Sequence, residues 1–227
     1  MARRTDRDET GGMARQNRVT PFGAIVSPPA GSAGRGDFMG NRGCLHDDRG
    51  RLHGRPWRTR AWITCRLAFK GRQRTLMTPR RYTELFFLDE ATAFAAGHRP
   101  CAECRWHDYQ RFRGCWPALA GRPVAELDAV LHRERVDVAG RKIVRPMRAD
   151  DLPDGSVVAL PERPDAALLK WGDQLFPWSL DGYGPSVARP RDVLVLTPPS
   201  LMAVLARGYR LALHASGPPP TAAAPAV

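Results

Sequence analysis

The chain has 227 residues, 43% of them hydrophobic, and a formal net charge of +12 at pH 7. This length holds one medium domain or two small ones with a buried core, and the apolar fraction is that of a folded globular protein. No run approaches the roughly 18 apolar residues of a membrane span, and the charged N-terminus is unlike a secretory signal, so we expect a cytoplasmic protein without membrane contact. Because thiols stay reduced in that compartment, we expect the five cysteines to be metal ligands, reactive thiols or core residues rather than to form disulfides.

The chain begins with residues 1–37, which mix charges with Gly, Pro and Ser and predict a disordered N-terminal lead. The first regular pattern lies at residues 61–71, where apolar and polar side chains alternate as in a β-strand. Its apolar face consists of Ile63, Cys65, Leu67 and Phe69. Gly71 is expected to turn the chain into a second strand over residues 72–77, forming a hairpin, and a further short strand is predicted over residues 82–87.

Helix signals follow this strand. Asp89 has the side chain of a helix N-cap, and the Ala-rich run after it predicts a helix over residues 90–96 that ends at Gly97. A second helix is expected to start within residues 100–104 and to end at Gly114, since aromatic residues recur between them at roughly helical spacing.

The second half of the sequence changes character after a third predicted helix over residues 124–136. Short apolar runs then alternate with Asp-Gly and Gly-Asp pairs that are typical of turns. These predicted strands cover residues 156–160, 167–171, 174–178 and 193–196. A last helix is predicted over residues 201–206, and the Ala- and Pro-rich residues 216–227 are expected to be a disordered tail.

Cys101 and Cys104 form a Cys-x2-Cys motif, whose two sulfurs can reach one tetrahedral zinc ion at roughly 2.3 Å. Arg99 and Arg105 flank the motif, and with the start of a helix they favour thiolates over thiols. Structural zinc takes four ligands, so two more are needed. The upstream candidates are Cys44, His46, His53 and Cys65. Two other interpretations stay open, namely a redox dithiol and a pair of buried cysteines without a ligand.

Residues 86–104, FFLDEATAFAAGHRPCAEC, resemble the second half of the Ada-type metal-binding domain. In that family a strand, an Ala-rich helix and a Gly-aromatic-Arg-Pro sequence lead into a Cys-x2-Cys that supplies two zinc ligands. The resemblance therefore implies that Cys101 and Cys104 bind zinc, and it implies a role in DNA repair or regulation. The whole chain also resembles an uncharacterised bacterial protein family with the same stretches at residues 40–43 and 82–87, which implies no activity.

The first zinc ligands of the Ada-type domain form a Cys-x3-Cys, one member of which can accept a methyl group from a DNA phosphotriester. Cys65 stands at the comparable place here, but Phe69 occupies the position of the second cysteine. We therefore predict that Cys65 is the third ligand and that His46 is the fourth, with Asp47 or Asp48 orienting its imidazole. Cys44 is an alternative ligand, and Cys65 is also well suited to the core, where a reduced thiol packs comfortably.

Basic residues outnumber acidic ones by more than two to one between residues 38 and 120. Arginines and aromatic residues are interleaved there, a pattern that suits phosphate contact with base stacking and favours DNA or RNA as a partner. The set comprises Trp57, Trp62, Trp106 and Tyr109 among Arg55, Arg58, Arg60, Arg66, Arg72 and Arg74. The other interpretation is that the aromatic residues belong to the core and the arginines to a solvated face.

His132 and Glu134 are the remaining candidates for chemistry, since a histidine near a carboxylate can transfer protons. Positions two apart point to different sides of a helix, however, and the His-Glu-x-x-His spacing of a zinc protease is missing. A surface helix of mixed charge is the alternative interpretation.

Together these patterns predict an α+β protein with a small zinc module of a β-hairpin and helices, a connecting helix and a small β-rich domain. The predicted bounds are 1–37 for the lead, 38–120 for the Ada-like zinc module, 121–150 for the connecting helix and loop, 151–215 for the β-rich domain and 216–227 for the tail. The leading hypothesis is a zinc-binding protein that contacts nucleic acid. The alternatives are an enzyme, as a methyl-accepting zinc thiolate or a nuclease-like catalyst using His132, and a zinc-stapled protein–protein adaptor.

Overall fold

The computed structural model describes residues 17–27, 34, 36–71, 75–116, 118 and 121–219. Within them the chain forms two six-stranded sheets and four α-helices, which confirms the α+β class. None of the described helices has the length and apolar character needed to cross a membrane.

The first sheet has the strand order β2-β1-β5-β3-β4-β6. Its members are β1 (Arg18–Val19), β2 (Ile25–Val26), β3 (Phe38–Asn41), β4 (Ile63–Arg66), β5 (Leu85–Phe87) and β6 (Arg99–Pro100). Strand β4 pairs antiparallel with β3, which places Met39 opposite Cys65, and parallel with β6, which places Ile63 opposite Arg99. Strand β4 is therefore flanked on both edges, and Thr64 on its predicted polar face is as fully buried as Cys65 on its apolar face.

The predicted hairpin after Gly71 is not what pairs with β4. Residues 75–77 form no strand, and residues 72–74 lie outside the described part of the chain. The antiparallel partner is β3 instead, from a segment more than twenty residues earlier. A local turn signal could not reveal that pairing, because it depends on contacts distant in sequence.

The predicted N-terminal lead contains β1 and β2, which pair with each other, while β1 also runs parallel to β5. The reason is burial: Val19 is 0% exposed, and Arg18 is buried with its guanidinium donating to the carbonyl oxygens of Gly34 and Leu180, each over 2.6 Å. The bond to Leu180 joins the predicted lead to the second half of the chain. Residues 1–16 lie outside the described range.

The second sheet is antiparallel throughout, in the order β11-β10-β9-β8-β12-β7. Its strands are β7 (Arg145–Arg148), β8 (Val157–Leu160), β9 (Arg163–Trp171), β10 (Gln174–Pro177), β11 (Val187–Ala188) and β12 (Asp192–Val195). All four strands predicted after residue 150 are present here. The two edge strands, β7 and β11, carried no signal in the sequence.

The helices are α1 (Glu90–Ala95), α2 (Trp106–Gly114), α3 (Val124–Arg135) and α4 (Pro199–Ala206). Asp89 caps α1 as predicted, accepting the backbone N–H of Thr92 over 2.8 Å. Every residue of α1 is buried, because the helix lies between the two sheets. Ala93 packs on the first sheet and Ala91 on the second, while Phe94 joins a core cluster with α2, α3 and α4. Small side chains on most sides explain why an Ala-rich sequence is found here.

Candidate metal centre

Three cysteine sulfurs converge beside the end of β6. The Sγ atoms of Cys65, Cys101 and Cys104 all lie within 4.8 Å of one another. Strand β4 supplies Cys65, and the turn between β6 and α2 supplies the other two. The backbone N–H of Cys101 donates to the carbonyl oxygen of Thr64 over 2.9 Å. This bond continues the β4–β6 pairing into the turn and places the motif next to Cys65.

The separation of these sulfurs suits a single metal ion. Three thiolates at 2.3 Å from one tetrahedral zinc lie about 3.8 Å apart, so only small side-chain shifts would be needed. The cysteines are 6%, 9% and 6% exposed and pack against Met39 and Phe86, inside an apolar shell. Three thiolates in such a place would repel one another strongly unless a cation stood between them.

The hydrogen bonds at the site favour thiolate at Cys101. Bonds from the Cys104 and Cys65 side chains lower the pKa of Cys101, and the backbone N–H groups of Glu103 and Cys104 contribute in the same direction. The Glu103 N–H lies 3.4 Å from this sulfur. The hydrogen bonds with Cys101, together with burial, raise the pKa of Cys65 and of Cys104. The trio thus holds protons that a metal ion would displace, as thiolate ligation requires.

Two buried ion pairs fix the segment that carries the motif. Before it, Arg99 binds both carboxylate oxygens of Asp128 on α3, over 2.7 and 2.8 Å. After it, Arg105 donates to Glu90 over 2.7 Å and to Thr64 Oγ1 over 3.1 Å. The turn is therefore held at both ends by side chains from α3, α1 and β4. Asp128 and Glu90 were not singled out by the sequence, since neither lies within the motif.

The structure does not bring His46 to the three sulfurs. Its Nδ1 lies 2.6 Å from Thr83 Oγ1 and its Nε2 lies 3.2 Å from the carbonyl oxygen of Thr78, so both ring nitrogens already have hydrogen-bond partners. Cys44 is half-buried, and its thiol contacts the His46 carbonyl oxygen over 3.5 Å. The prediction of His46 as a ligand therefore has no support from the geometry, because the buried ring stabilises the loop between β3 and β4.

All five cysteines and all six histidines of the chain lie among the described residues. Of these, only Cys65, Cys101 and Cys104 form a group with metal-ligating geometry in the described ranges. A fourth sulfur or imidazole ligand from this chain would thus require a rearrangement. The alternative is a fourth position taken by water or by another molecule.

The aromatic residues of the predicted nucleic-acid surface divide into two kinds. Trp62 and Tyr109 are 2% and 4% exposed and therefore belong to the core, as the alternative interpretation of these aromatic residues expects. Trp106 is 52% exposed and Trp57 is half-buried. Five arginines of the loop between β3 and β4 face solvent, namely Arg49, Arg51, Arg55, Arg58 and Arg60. Arg66 is exposed as well, whereas Arg72 and Arg74 lie outside the described residues.

His132 and Glu134 do not share a site. The carboxylate of Glu134 accepts the backbone N–H and the hydroxyl of Ser200 over 2.9 and 2.6 Å, which holds the first turn of α4. His132 faces the opposite way, with its ring 5.1 Å from that of Trp57 and its Nδ1 3.1 Å from Arg135 Nη2. Glu134 is therefore a structural residue, and no acid–base pair forms.

Comparison of the chain with protein-family models, with curated proteins and with solved structures finds no match. The buried cluster of Cys65, Cys101 and Cys104 is compatible with a zinc module, but it is not a match to the Ada-type domain.

Proposed function

We propose that the chain is a zinc-binding protein in which Cys65, Cys101 and Cys104 hold the ion. The observation that carries this proposal is the convergence of three buried sulfurs on a rigidly held turn. Thiolates select soft or borderline metals, and zinc is the redox-inert member of that group that commonly binds Cys-rich sites. A third sulfur beside the pair also favours metal binding over a simple redox dithiol.

The experiment measures metal per chain in protein purified under reducing conditions. We expect one zinc ion per wild-type chain and its loss in Cys101→Ser and in Cys65→Ser. Cys115→Ser is the matched control, because Cys115 is half-buried beyond α2 and belongs to no metal-ligating group of the described residues. Metal-free wild type, or equal metal in all three variants, would contradict the proposal.

The proposed partner of this zinc-stabilised protein is nucleic acid, bound through the exposed arginines between β3 and β4. The support is local: five solvent-facing guanidinium groups stand on one loop that the first sheet anchors at both ends. Phosphate contacts of this kind release counterions, so binding would weaken steeply with salt.

Replacing Arg55, Arg58 and Arg60 with Gln together should weaken binding to mixed oligonucleotides and should reduce the slope of log affinity against log salt by about one per lost phosphate contact. A matched control replaces three exposed arginines outside that loop, Arg163, Arg191 and Arg207. Equal losses in both triple variants would mean that net charge alone is responsible. Zinc binding without any oligonucleotide binding would favour the adaptor hypothesis.

A second candidate function, the methyl-accepting thiolate, is favoured by the three-ligand set. Metal sites with three protein ligands and one open position are typical of reactive centres, whereas structural sites are closed by four. Methylation of Cys65 by methylated DNA, read by mass spectrometry at one methyl group per chain, would support it. An unmodified chain after such exposure would remove it.

A further inference from the structure

Trp62 lies between two arginines. The guanidinium carbon of Arg42 is 3.9 Å from the centre of its ring and that of Arg135 is 3.8 Å away. Arg42 comes from the loop after β3 and is 1% exposed, while Arg135 ends α3 and is 0% exposed. Two buried cations therefore share one aromatic ring in the interior of the protein.

The hydrogen bonds of these arginines go to neutral groups. Arg42 Nη1 donates to the carbonyl oxygen of Gly23 over 2.8 Å. Arg135 donates to the carbonyl oxygens of Gly97 and Arg60, over 2.8 and 2.7 Å. Carbonyl oxygens carry only partial charge, so the two positive charges are not neutralised. Among the described residues, Arg42 Nη2 and Arg135 Nε are buried without a hydrogen-bond partner.

Lys142 is a third basic group here, and burial together with Arg42 and Arg135 lowers its pKa well below 10.5. Lys142 donates its ammonium to the carbonyl oxygen of Ala95, again a neutral partner. Burial lowers the pKa of Arg42 to about 9, and burial together with Arg42 lowers that of Arg135 to about 8. Asp128 opposes the second shift, but its carboxylate is already bound by Arg99. Buried Arg99 and Arg105, by contrast, have carboxylate partners in Asp128 and Glu90.

A cavity of about 40 Å³ opens among these cations. Its lining includes Arg42, Trp57, Trp62, Arg135, Gly140 and Lys142. A single water needs about 10–15 Å³ on this measure, so the space admits a group larger than one water molecule. It is too small for a nucleoside, which would have to remain outside.

We propose that this cavity binds a phosphate group, either free phosphate or the terminal phosphate of a phosphomonoester. Guanidinium groups bind phosphate oxygens through strong charge-assisted hydrogen bonds. Arg42 Nη2, which has no hydrogen-bond partner among the described residues, can donate such a bond. An anion here offsets positive charge on Arg42, Arg135 and Lys142, for which the described part of the protein provides no carboxylate ion-pair partner. Half-buried Trp57 at the same cavity offers a ring to a group attached to the phosphate. This inference does not depend on zinc or on nucleic-acid contacts of the exposed side chains of Arg55, Arg58 and Arg60.

Thermal unfolding of the full chain tests it, with inorganic phosphate as the probe and chloride at equal ionic strength as the reference. A ligand that binds only the folded state raises the melting temperature with its concentration. We expect this rise in wild type and an affinity at least about tenfold weaker in Arg42→Gln and in Lys142→Met. Arg141→Gln is the matched control, because Arg141 adjoins Lys142 and carries the same charge, yet its side chain is 79% exposed.

The two phosphate sources are separated by comparing inorganic phosphate with an oligonucleotide that carries a 5′-phosphate and with the same oligonucleotide ending in a hydroxyl. Stronger stabilisation by the phosphorylated end assigns the site to a phosphomonoester, and equal or stronger stabilisation by inorganic phosphate assigns it to the free ion. The proposal is overturned if phosphate and chloride give wild type the same melting temperature, if acetate matches phosphate, or if Arg141→Gln weakens the effect as much as Lys142→Met. Should Arg42→Gln fail to fold, Lys142→Met decides, since that side chain is only half-buried.

Discussion

Arg105 Nη2 donates to Glu90 Oε1 over 2.7 Å, and only 2% and 1% of the two side chains are exposed. Glu90 begins α1, the helix between the sheets, and Arg105 directly follows Cys104. Tyr209 donates to the same Glu90 oxygen over 2.8 Å, and the backbone N–H of Ala212 donates to the other over 3.0 Å. One carboxylate thus joins the core helix, the cysteine turn and the segment after α4.

Glu90→Gln is expected to lower the free energy of unfolding by about 1.5–3 kcal/mol, because it removes one of the two carboxylates that buried Arg105 contacts, while Asp108 remains 2.8 Å away. Burial raises the pKa of Glu90 and the charge of Arg105 opposes that rise, so the pair depends on both members. Urea unfolding at neutral pH measures the loss.

The control for this pair is Glu126→Gln, which breaks an ion pair with Arg122 on the surface of α3. Both side chains there are about half exposed or more, at 48% and 61%, so the expected loss is below about 1 kcal/mol. Losses of similar size in the two variants would mean that burial of the Glu90–Arg105 pair contributes little.

His46→Gln is expected to keep the bound zinc and to lower the free energy of unfolding by about 1–3 kcal/mol. The reason is that the ring bonds Thr83 and the Thr78 carbonyl, away from the sulfurs. Metal analysis of the folded variant and urea unfolding measure the two effects. A folded His46→Gln protein without metal would restore His46 as the fourth ligand.

The parts of the fold that local chemistry controls could be predicted from the sequence. Asp89 caps α1 and Gly97 ends it, because an N-cap carboxylate and a left-handed glycine act on their own neighbours. The four inner strands of the second sheet follow in the same way from short apolar runs and the turns between them. Strand β3, by contrast, lies between β4 and β5 through distant pairings that no local pattern encodes.

The same distinction applies to the candidate site. Cys101 and Cys104 were recognisable because their spacing is itself a motif, and Cys65 was found through a resemblance that placed it on the right strand. The prediction of His46 rests on its place upstream of the motif and on the carboxylates beside it, and neither feature says where a loop folds back. The cation cluster of Arg42 and Arg135 was missed entirely, since the two residues lie more than ninety positions apart.

Acidification is expected to destabilise the protein through His98. Burial lowers the pKa of His98 well below 6.5, and Arg42 and Arg135 add to the effect. The unfolded chain therefore takes up a proton first as the pH falls, and stability present above about pH 6.5 is lost below it, by about 1.4 kcal/mol per pH unit for one such group. Burial also lowers the pKa of half-buried His132, which adds to the trend.

The measurement compares the free energy of unfolding of wild type and His98→Gln between pH 7 and about pH 5.5. In the wild type, Arg42 Nε donates to His98 Nε2 over 3.2 Å. Glutamine provides an oxygen that can accept this hydrogen bond, but its side chain does not titrate. The difference between the two proteins should shrink as the pH falls. A constant difference would show that His98 titrates equally in the folded and unfolded chains.

Gly97→Ala should lower the free energy of unfolding by more than the same substitution at a glycine with a similar backbone conformation elsewhere. Gly97 has φ +88°, and an added Cβ would stand 2.5 Å from Cδ of Arg135. Gly208→Ala is the control, with φ +89° and no atom within 4 Å of its added Cβ. Both variants lose about 1–2 kcal/mol to the left-handed backbone, but only Gly97→Ala adds about 1–3 kcal/mol of overpacking. Because the clash displaces Arg135, Gly97→Ala should also bind phosphate more weakly than Gly208→Ala. If the two variants lose the same stability and the same affinity for phosphate, Arg135 moves aside without cost.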